Sequence, residues 1–219
     1  MRKTVLTLLA LVLLGFNAWI LYPKYQVFHD AELFKLTPEV TLRTDSAEKV
    51  IREGLTQNFI TASDFSTARA TSSAEKYSTF FENMKDIAIL RMKLWDANYV
   101  VLWSDIPALN GQRFTDNHEL GEVYSEGTRE VEGKLGQVEK TVDKNESIAE
   151  GGYNNYLEIY IPLVDQKVVG VVEVYVAAED IVAQYRSQFY RSCMILFGGT
   201  LFLFGLILFL FYFNKRNNQ

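Results

Sequence analysis

Cysteine is all but missing from this sequence: Cys193 stands alone among 219 residues. No disulfide can form within the chain, so stability has to come from a packed core or from association with another chain. Histidine is nearly as scarce. His29 and His118 lie far apart, neither with a partner at a metal-ligand spacing, and both read as surface or interface residues. The sequence also lacks a Gly-x-Ser-x-Gly elbow, a zinc motif and a glycine-rich phosphate loop, and its carboxylates do not pair at a recognisable spacing. These absences remove the common routes to hydrolysis, phosphoryl transfer and metal chemistry. The expectation is a chain that is not an enzyme and carries no cofactor or metal.

Charge is missing from two long stretches. None occurs between Thr4 and Tyr22 or between Cys193 and Phe213, while every Asp and Glu falls between Asp30 and Asp180. The overall composition, 48% hydrophobic and 22% charged, conceals that partition. A bilayer core about 30 Å thick takes about 20 apolar helical residues to cross, and a helix satisfies its own backbone in lipid. Both stretches meet that length. The first is expected to be an uncleaved anchor, because bulky residues (Trp19 to Tyr22) stand where a signal-peptide cleavage site needs small ones. Asn17 has two open readings, a polar residue near the interface or a helix–helix contact.

Arg2 and Lys3 precede the first span, and Lys215 and Arg216 follow the second. The positive-inside rule then places both termini in the cytoplasm and the middle of the chain outside it. Lys24, Arg186 and Arg191, on the outer flanks, run against the rule, while Trp19, Tyr22 and Tyr25 make an aromatic belt at the outer surface. The expected organisation is a cytoplasmic start (1–3), a span (4–22), an extracytoplasmic domain (23–191, core 46–190), a second span (192–213) and a cytoplasmic tail (214–219). The expected location is the inner (plasma) membrane. Between the terminal clusters, 18 Lys and Arg face 27 acids, a net charge of −9. That balance argues against nucleic acid as a partner, since phosphates need a basic patch.

From Ser46 to Met84 apolar residues recur at helical spacing, with Asp45 or Ser46 as N-cap, as one long helix or as two broken near Thr61–Ser63. Pro38 reads as a breaker. After Met84 the period shortens. Strands are expected at Ile87–Trp95, Tyr99–Trp103, Arg129–Val142 (exposed), Tyr156–Leu163 and Val168–Val176. A short helix is expected at Asn117–Glu126 with Asp116 as its cap, a loop at Asn145–Asn155, and a final helix from Glu179 into the second span. This is an α+β domain: a long N-terminal helix, an antiparallel sheet of about five strands, and an exit helix.

Alternation divides the sheet into two faces. One is aliphatic, with Ala88, Leu90, Met92, Leu94, Leu157, Ile159, Ile161, Val172, Val174 and Val176. The other carries Ile89, Arg91, Lys93, Trp95, Tyr156, Glu158, Tyr160, Glu173 and Tyr175. Two readings of that second face stand open. In one, Arg91 or Lys93 holds an anionic group in a pocket walled by Trp103, Tyr160 and Tyr175. In the other, the face is solvated and laced by cross-strand ion pairs of Arg91 or Lys93 with Glu158 or Glu173.

The stretch Asp96-Ala97-Asn98-Tyr99-Val100-Val101-Leu102-Trp103-Ser104-Asp105, then Pro107 to Phe114 and Asn117-His118-Glu119-Leu120, resembles the extracytoplasmic Cache sensor domains. In that family a hairpin ends in a Ser-Asp-Pro-like turn and leads to a Gly-x-x-Phe segment and a short Asn-x-Glu-Leu helix. Tyr156–Leu163 and Val168–Tyr175 resemble the family's last two strands. The resemblance covers about residues 86–181. It implies a PAS-like sheet with a small-molecule pocket on one face, for which the candidate residues are Arg91, Lys93, Trp103, Arg113, Tyr160, Glu173 and Tyr175. Members usually continue into a signalling domain. Only Asn214 to Gln219 follow Phe213 here, so a separate signalling protein in the membrane, or a homodimer, is the expected partner beside the lipid bilayer and a small, anionic ligand. The alternative is a membrane scaffold whose outer domain binds another protein and no small molecule.

Overall fold

The computed structural model describes residues 2–27, 29–84, 89–136 and 154–217. They fall into two compact units, Asp30–Ile181 and the paired chain ends, Met1–His29 with Val182–Gln219.

The helices are α1 (Arg2–Val27), α2 (Ala31–Lys35), α3 (Pro38–Gln57), α4 (Ala70–Met84), α5 (His118–Glu126) and α6 (Glu179–Asn217). Asp30 caps α2 through the backbone N–H groups of Glu32 and Leu33. Pro38 opens α3 instead of breaking it, behind Thr37 as N-cap. Its missing N–H is one that the first turn leaves unpaired in any case. The helix therefore starts well before the Asp45 or Ser46 cap expected from sequence, and it buries a stripe of Val40, Thr44, Ala47, Ile51 and Leu55.

Of the two expected arrangements, one long helix or two broken near Thr61–Ser63, the structure has the second, in place of a single long N-terminal helix. After α3 the chain turns at Phe59 and makes a 3₁₀ turn at Ala62–Asp64, and α4 follows with Tyr77, Phe80, Phe81 and Met84 buried. Gly54 allows α3 and α4 to meet closely: a β-carbon there would lie 2.5 Å from Met84 Cε. The break is held by Asp64. Its carboxylate accepts hydrogen bonds from the Thr61 N–H (2.9 Å) and hydroxyl (3.0 Å) and the Ser73 hydroxyl (2.8 Å), with Lys76 Nζ at 3.4 Å.

The strands are β1 (Ile89–Asp96), β2 (Val101–Ser104), β3 (Glu130–Leu135), β4 (Asn155–Asp165) and β5 (Lys167–Ala177). They form one antiparallel sheet in the order β2-β1-β5-β4-β3. The expected strand residues Ile87, Ala88 and 137–142, and most of the expected 145–155 loop, lie outside the described residues. On the aliphatic face Val172, Val174 and Val176 sit between Leu94, Met92 and Ile89 of β1 and Ile161, Ile159 and Leu157 of β4. All nine are buried.

A register shift between Ile89 and Arg91 corrects the simple alternation. Ile89 joins the aliphatic face opposite Val176, and Leu90 packs on Tyr156 and Tyr175. A bulge adds one residue to one strand and inverts the facing of everything before it.

Elements before β1 cover the aliphatic face. Phe65 presses on Gly170, where a β-carbon would sit 2.4 Å from its ring, and Phe81 of α4 meets Trp103 at 5.7 Å between centroids. Phe34 of α2 lies beside Gly133, so β3 is partly buried and not the exposed strand expected. On the opposite face α5 packs Leu120 and Val123 against Trp95, Tyr160 and Val171. Asn117, not Asp116, caps α5, accepting from Leu120 N–H at 2.7 Å.

In the other unit, α1 and α6 are each long and apolar enough to cross a membrane, over Thr7–Val27 and Glu179–Leu210. Asn17 is a helix–helix contact: its Nδ2 donates to Thr200 Oγ1 at 2.7 Å, and Lys24 Nζ donates to Ser192 Oγ at 2.8 Å. Residues rising along one helix meet residues falling along the other, so the two helices run antiparallel.

Candidate functional site

Alternation along β1, β3, β4 and β5 gathers a charged and aromatic set on one sheet face. Arg91 and Lys93 of β1 lie opposite Tyr175 and Glu173 of β5. Those in turn lie opposite Glu158 and Tyr160 of β4, which face Glu132 and Glu130 of β3. This face is not solvated. Arg91 and Lys93 are 2% and 1% exposed, and Glu158, Glu173, Tyr160 and Tyr175 are wholly buried. Removing a charge from water costs several kcal/mol unless the interior compensates it.

At the centre the compensation is nearly complete. Lys93 Nζ lies 3.0 Å from Glu173 Oε1 and donates to the Tyr175 hydroxyl at 2.8 Å. Trp95 Nε1 donates to the other Glu173 oxygen at 2.7 Å, and the Tyr175 hydroxyl donates to Glu173 as well. The ammonium also lies 5.0 Å from the centre of the Tyr175 ring. Burial, followed by the negative charges of Glu173 and Glu158, raises the Tyr175 hydroxyl well above the ordinary phenol range. It therefore remains a donor at neutral pH. Tyr160 is raised in the same way, by burial first and then by Glu173 and Glu158, and it donates to Glu158 at 3.2 Å.

Toward one side of the face, Arg91 Nε lies 3.5 Å from Asp105 Oδ2, and its guanidinium carbon is 5.4 Å from the centre of the Tyr175 ring. Asp105 also accepts the Met92 N–H at 3.1 Å. Toward the other side, Lys134, 8% exposed, bonds to Glu132.

Four of the candidate residues therefore share this face with Arg91: Lys93, Tyr160, Glu173 and Tyr175. Two do not. Trp103 pairs with Leu94 and points to the aliphatic side, where its ring packs against Phe81 with the planes tilted by 57°. A second register shift, between Leu94 and Trp95, sets it there. It lines a surface cleft of about 380 Å³ with Thr67, Thr71, Ala74 and Asn110. Arg113 is exposed on the loop beside β2 and donates to the Asn98 carbonyl at 2.9 Å. Asp105 and Trp95 belong to the constellation without having been singled out. Trp95 was legible from alternation, whereas nothing in the turn Ser104-Asp105-Ile106-Pro107 marks Asp105 as the partner of Arg91.

Among the described residues no group of three or more His, Cys, Asp or Glu is arranged to hold a metal ion. No protein-family model matches the chain, and no curated protein matches it in sequence.

Proposed function

We propose that the protein is a membrane-anchored, extracytoplasmic sensing module of the PAS-like Cache type. It binds a small molecule at the charged sheet face and acts through a separate partner in the membrane, with both termini cytoplasmic. The observation that carries this reading is the placement of that face. Glu173 and Tyr175 lie on β5, which ends at Ala177, and α6 begins at Glu179 and continues without a break to Asn217. The start of α6 is tied to the sheet. Glu179 accepts from Asn155 N–H at 2.9 Å, and Arg43 bonds to the Ala177 carbonyl at 3.0 Å and to Asp180. A ligand exchanging hydrogen bonds with the buried face acts within a few residues of a helix apolar enough to cross a bilayer. The five-stranded antiparallel sheet with helices ahead of it is compatible with a PAS-like domain.

The test is a thermal-shift screen of the full chain in detergent against small carboxylates, amines and sugars. The expected result is a ligand whose stabilisation grows with concentration, about 2.7 kcal/mol at a hundredfold excess over Kd, and is lost on Arg91→Lys. Labelling by an impermeant thiol reagent in a Cys193→Ser background is expected for His118→Cys and not for Asn218→Cys.

A second reading, a scaffold whose domain binds only protein, is favoured by one observation. Lys93, Glu173, Tyr175 and Trp95 already satisfy one another. A screen without a hit, together with specific cross-linking of the domain to a protein, would select it.

A further inference from the structure

The paired chain ends hold seven Lys and Arg and no acid, whereas the Asp30–Ile181 unit carries 15 against all 27 acids, a net of −12. Three of those seven, Lys24, Arg186 and Arg191, lie near the ends of the apolar helices that adjoin the folded unit in the chain. All three are exposed, and among the described residues none has an acidic partner. Basic residues on the outer flanks of a span oppose the positive-inside preference, so their presence calls for an anionic counterpart.

The geometry points to the phosphates of anionic phospholipids, and we propose that Lys24, Arg186 and Arg191 form a headgroup-binding collar around the helix pair. The proposal rests on the membrane reading above. The Lys24 to Ser192 hydrogen bond sets Lys24 level with Arg191. Along α1, Lys3 to Lys24 is about 31 Å, and along α6, Arg191 to Lys215 is about 36 Å, at the helical rise. The hydrocarbon core is about 30 Å thick, so these cations sit at headgroup depth. Arg186 stands about 7.5 Å beyond Arg191 along the helix, at the outer edge of a headgroup region about 5–7.5 Å thick on each side. Tyr22, Tyr25 and Tyr190 ring the same level and Trp19 (73% exposed) lies about 7.5 Å deeper, toward the chain region, as aromatic side chains do at a membrane interface.

The arrangement selects the occupant. From Ser192, which faces α1, Arg191 is turned about 100° one way and Arg186 about 120° the other, at 3.6 residues per turn. Cations on separate sides of a helix pair cannot converge on a single phosphate ion or face a one-sided protein patch. A bilayer surrounds the pair and meets all of them, and each guanidinium can grip a phosphate in bidentate fashion.

The experiment reconstitutes the full chain in vesicles of equal phosphatidylglycerol and phosphatidylcholine, with one lipid brominated at a time near the headgroup end of its chains. Trp19 emission is read as the difference between wild type and Trp19→Phe, since Trp95 and Trp103 are buried in the other unit. Brominated phosphatidylglycerol is expected to quench Trp19 more than brominated phosphatidylcholine, by up to about fivefold if the nearest cation adds the usual attraction. Lys24→Gln, Arg186→Gln and Arg191→Gln together are expected to equalise the two. Equal quenching in wild type, or a preference that survives the triple substitution, would overturn the collar. So would loss of the preference on adding inorganic phosphate at constant ionic strength. Absence of quenching by either lipid would instead overturn the membrane reading itself.

Discussion

The junction between α3 and α4 depends on one buried carboxylate, and acid should reveal it. Asp64 is 5% exposed. Burial, the largest single influence, pushes its carboxyl up. The Thr61 N–H, the Ser73 and Thr61 hydroxyls and the charge of Lys76 together outweigh burial and hold it at about 2, against an ordinary 3.8. That difference is equivalent to about 2 kcal/mol of folding stability. Because the folded state holds the group below its unfolded value, the contribution is fully present above about pH 4 and fades as pH falls toward 2. Asp64→Asn keeps an oxygen acceptor but removes the charge. In chemical unfolding followed by tryptophan fluorescence, the variant is expected to be about 2 kcal/mol less stable at pH 6. The two proteins should then converge below pH 3, since their other carboxylates are the same. A variant as stable as wild type at pH 6, or a gap that stays constant down to pH 2, would refute the reasoning. In either case the hydrogen-bonded charge would not be what stabilises the junction.

Lys93→Met leaves Glu173 buried beside Tyr175 and Trp95 without its cation and is expected to cost about 3–5 kcal/mol. Adding Glu173→Met should recover most of it in the same unfolding assay, and failure to recover would mean that packing rather than charge pairing dominates there. Phe59 occupies the left-handed C-terminal position of α3 (φ 54), with its N–H on the Thr56 carbonyl and the Ile60 N–H on the Leu55 carbonyl. This position favours glycine, and the Phe59 ring is 79% exposed. Phe59→Gly is expected to leave stability unchanged or raise it by up to about 1 kcal/mol, and a clear loss would mean that the ring packs on something that matters.

Much of the sheet could be read from sequence because its central strands are regular. In β4 and β5 the side chains alternate without interruption from Leu157 to Ile161 and from Gly170 to Val176, so their two faces follow from the period alone. The failures sit where a local irregularity resets that period. The shift at Leu90 exchanges Ile89 and Leu90 between faces, and the one between Leu94 and Trp95 sends Trp103 to the helix side, away from Tyr160 and Tyr175. Pro38 misled for a related reason: the same residue ends a helix from its interior and begins one from its first turn. The pairing of Arg91 with Asp105 depends on a loop folding back along β1, where its N–H donates to the Met92 carbonyl at 3.3 Å. No spacing rule encodes that return.

On the sensing reading, the buried charges also bound what a ligand would have to do. Lys93, Glu173, Tyr175 and Trp95 form a closed set, so a ligand drawing on Lys93 or Glu173 must replace contacts that the domain already makes. Arg91 differs in position. It lies at one side of the set, over the Tyr175 ring and beside Asp105, which is itself partly exposed. A ligand acid competing with Asp105 for Arg91 exchanges one ion pair for another. Such an exchange costs less than opening the central network. A ligand can bias a two-state element only by its difference in affinity for the two states, so a low-cost exchange at Arg91 leaves more of the binding free energy for moving β5. Tyr175 connects the two regions, since its ring lies under Arg91 while its hydroxyl joins Lys93 to Glu173. Displacing that ring disturbs the strand four residues before α6 begins. On the sensing reading, Arg91 with Tyr175 is therefore where binding would act, and the Lys93–Glu173 pair is the rigid support against which the change is transmitted.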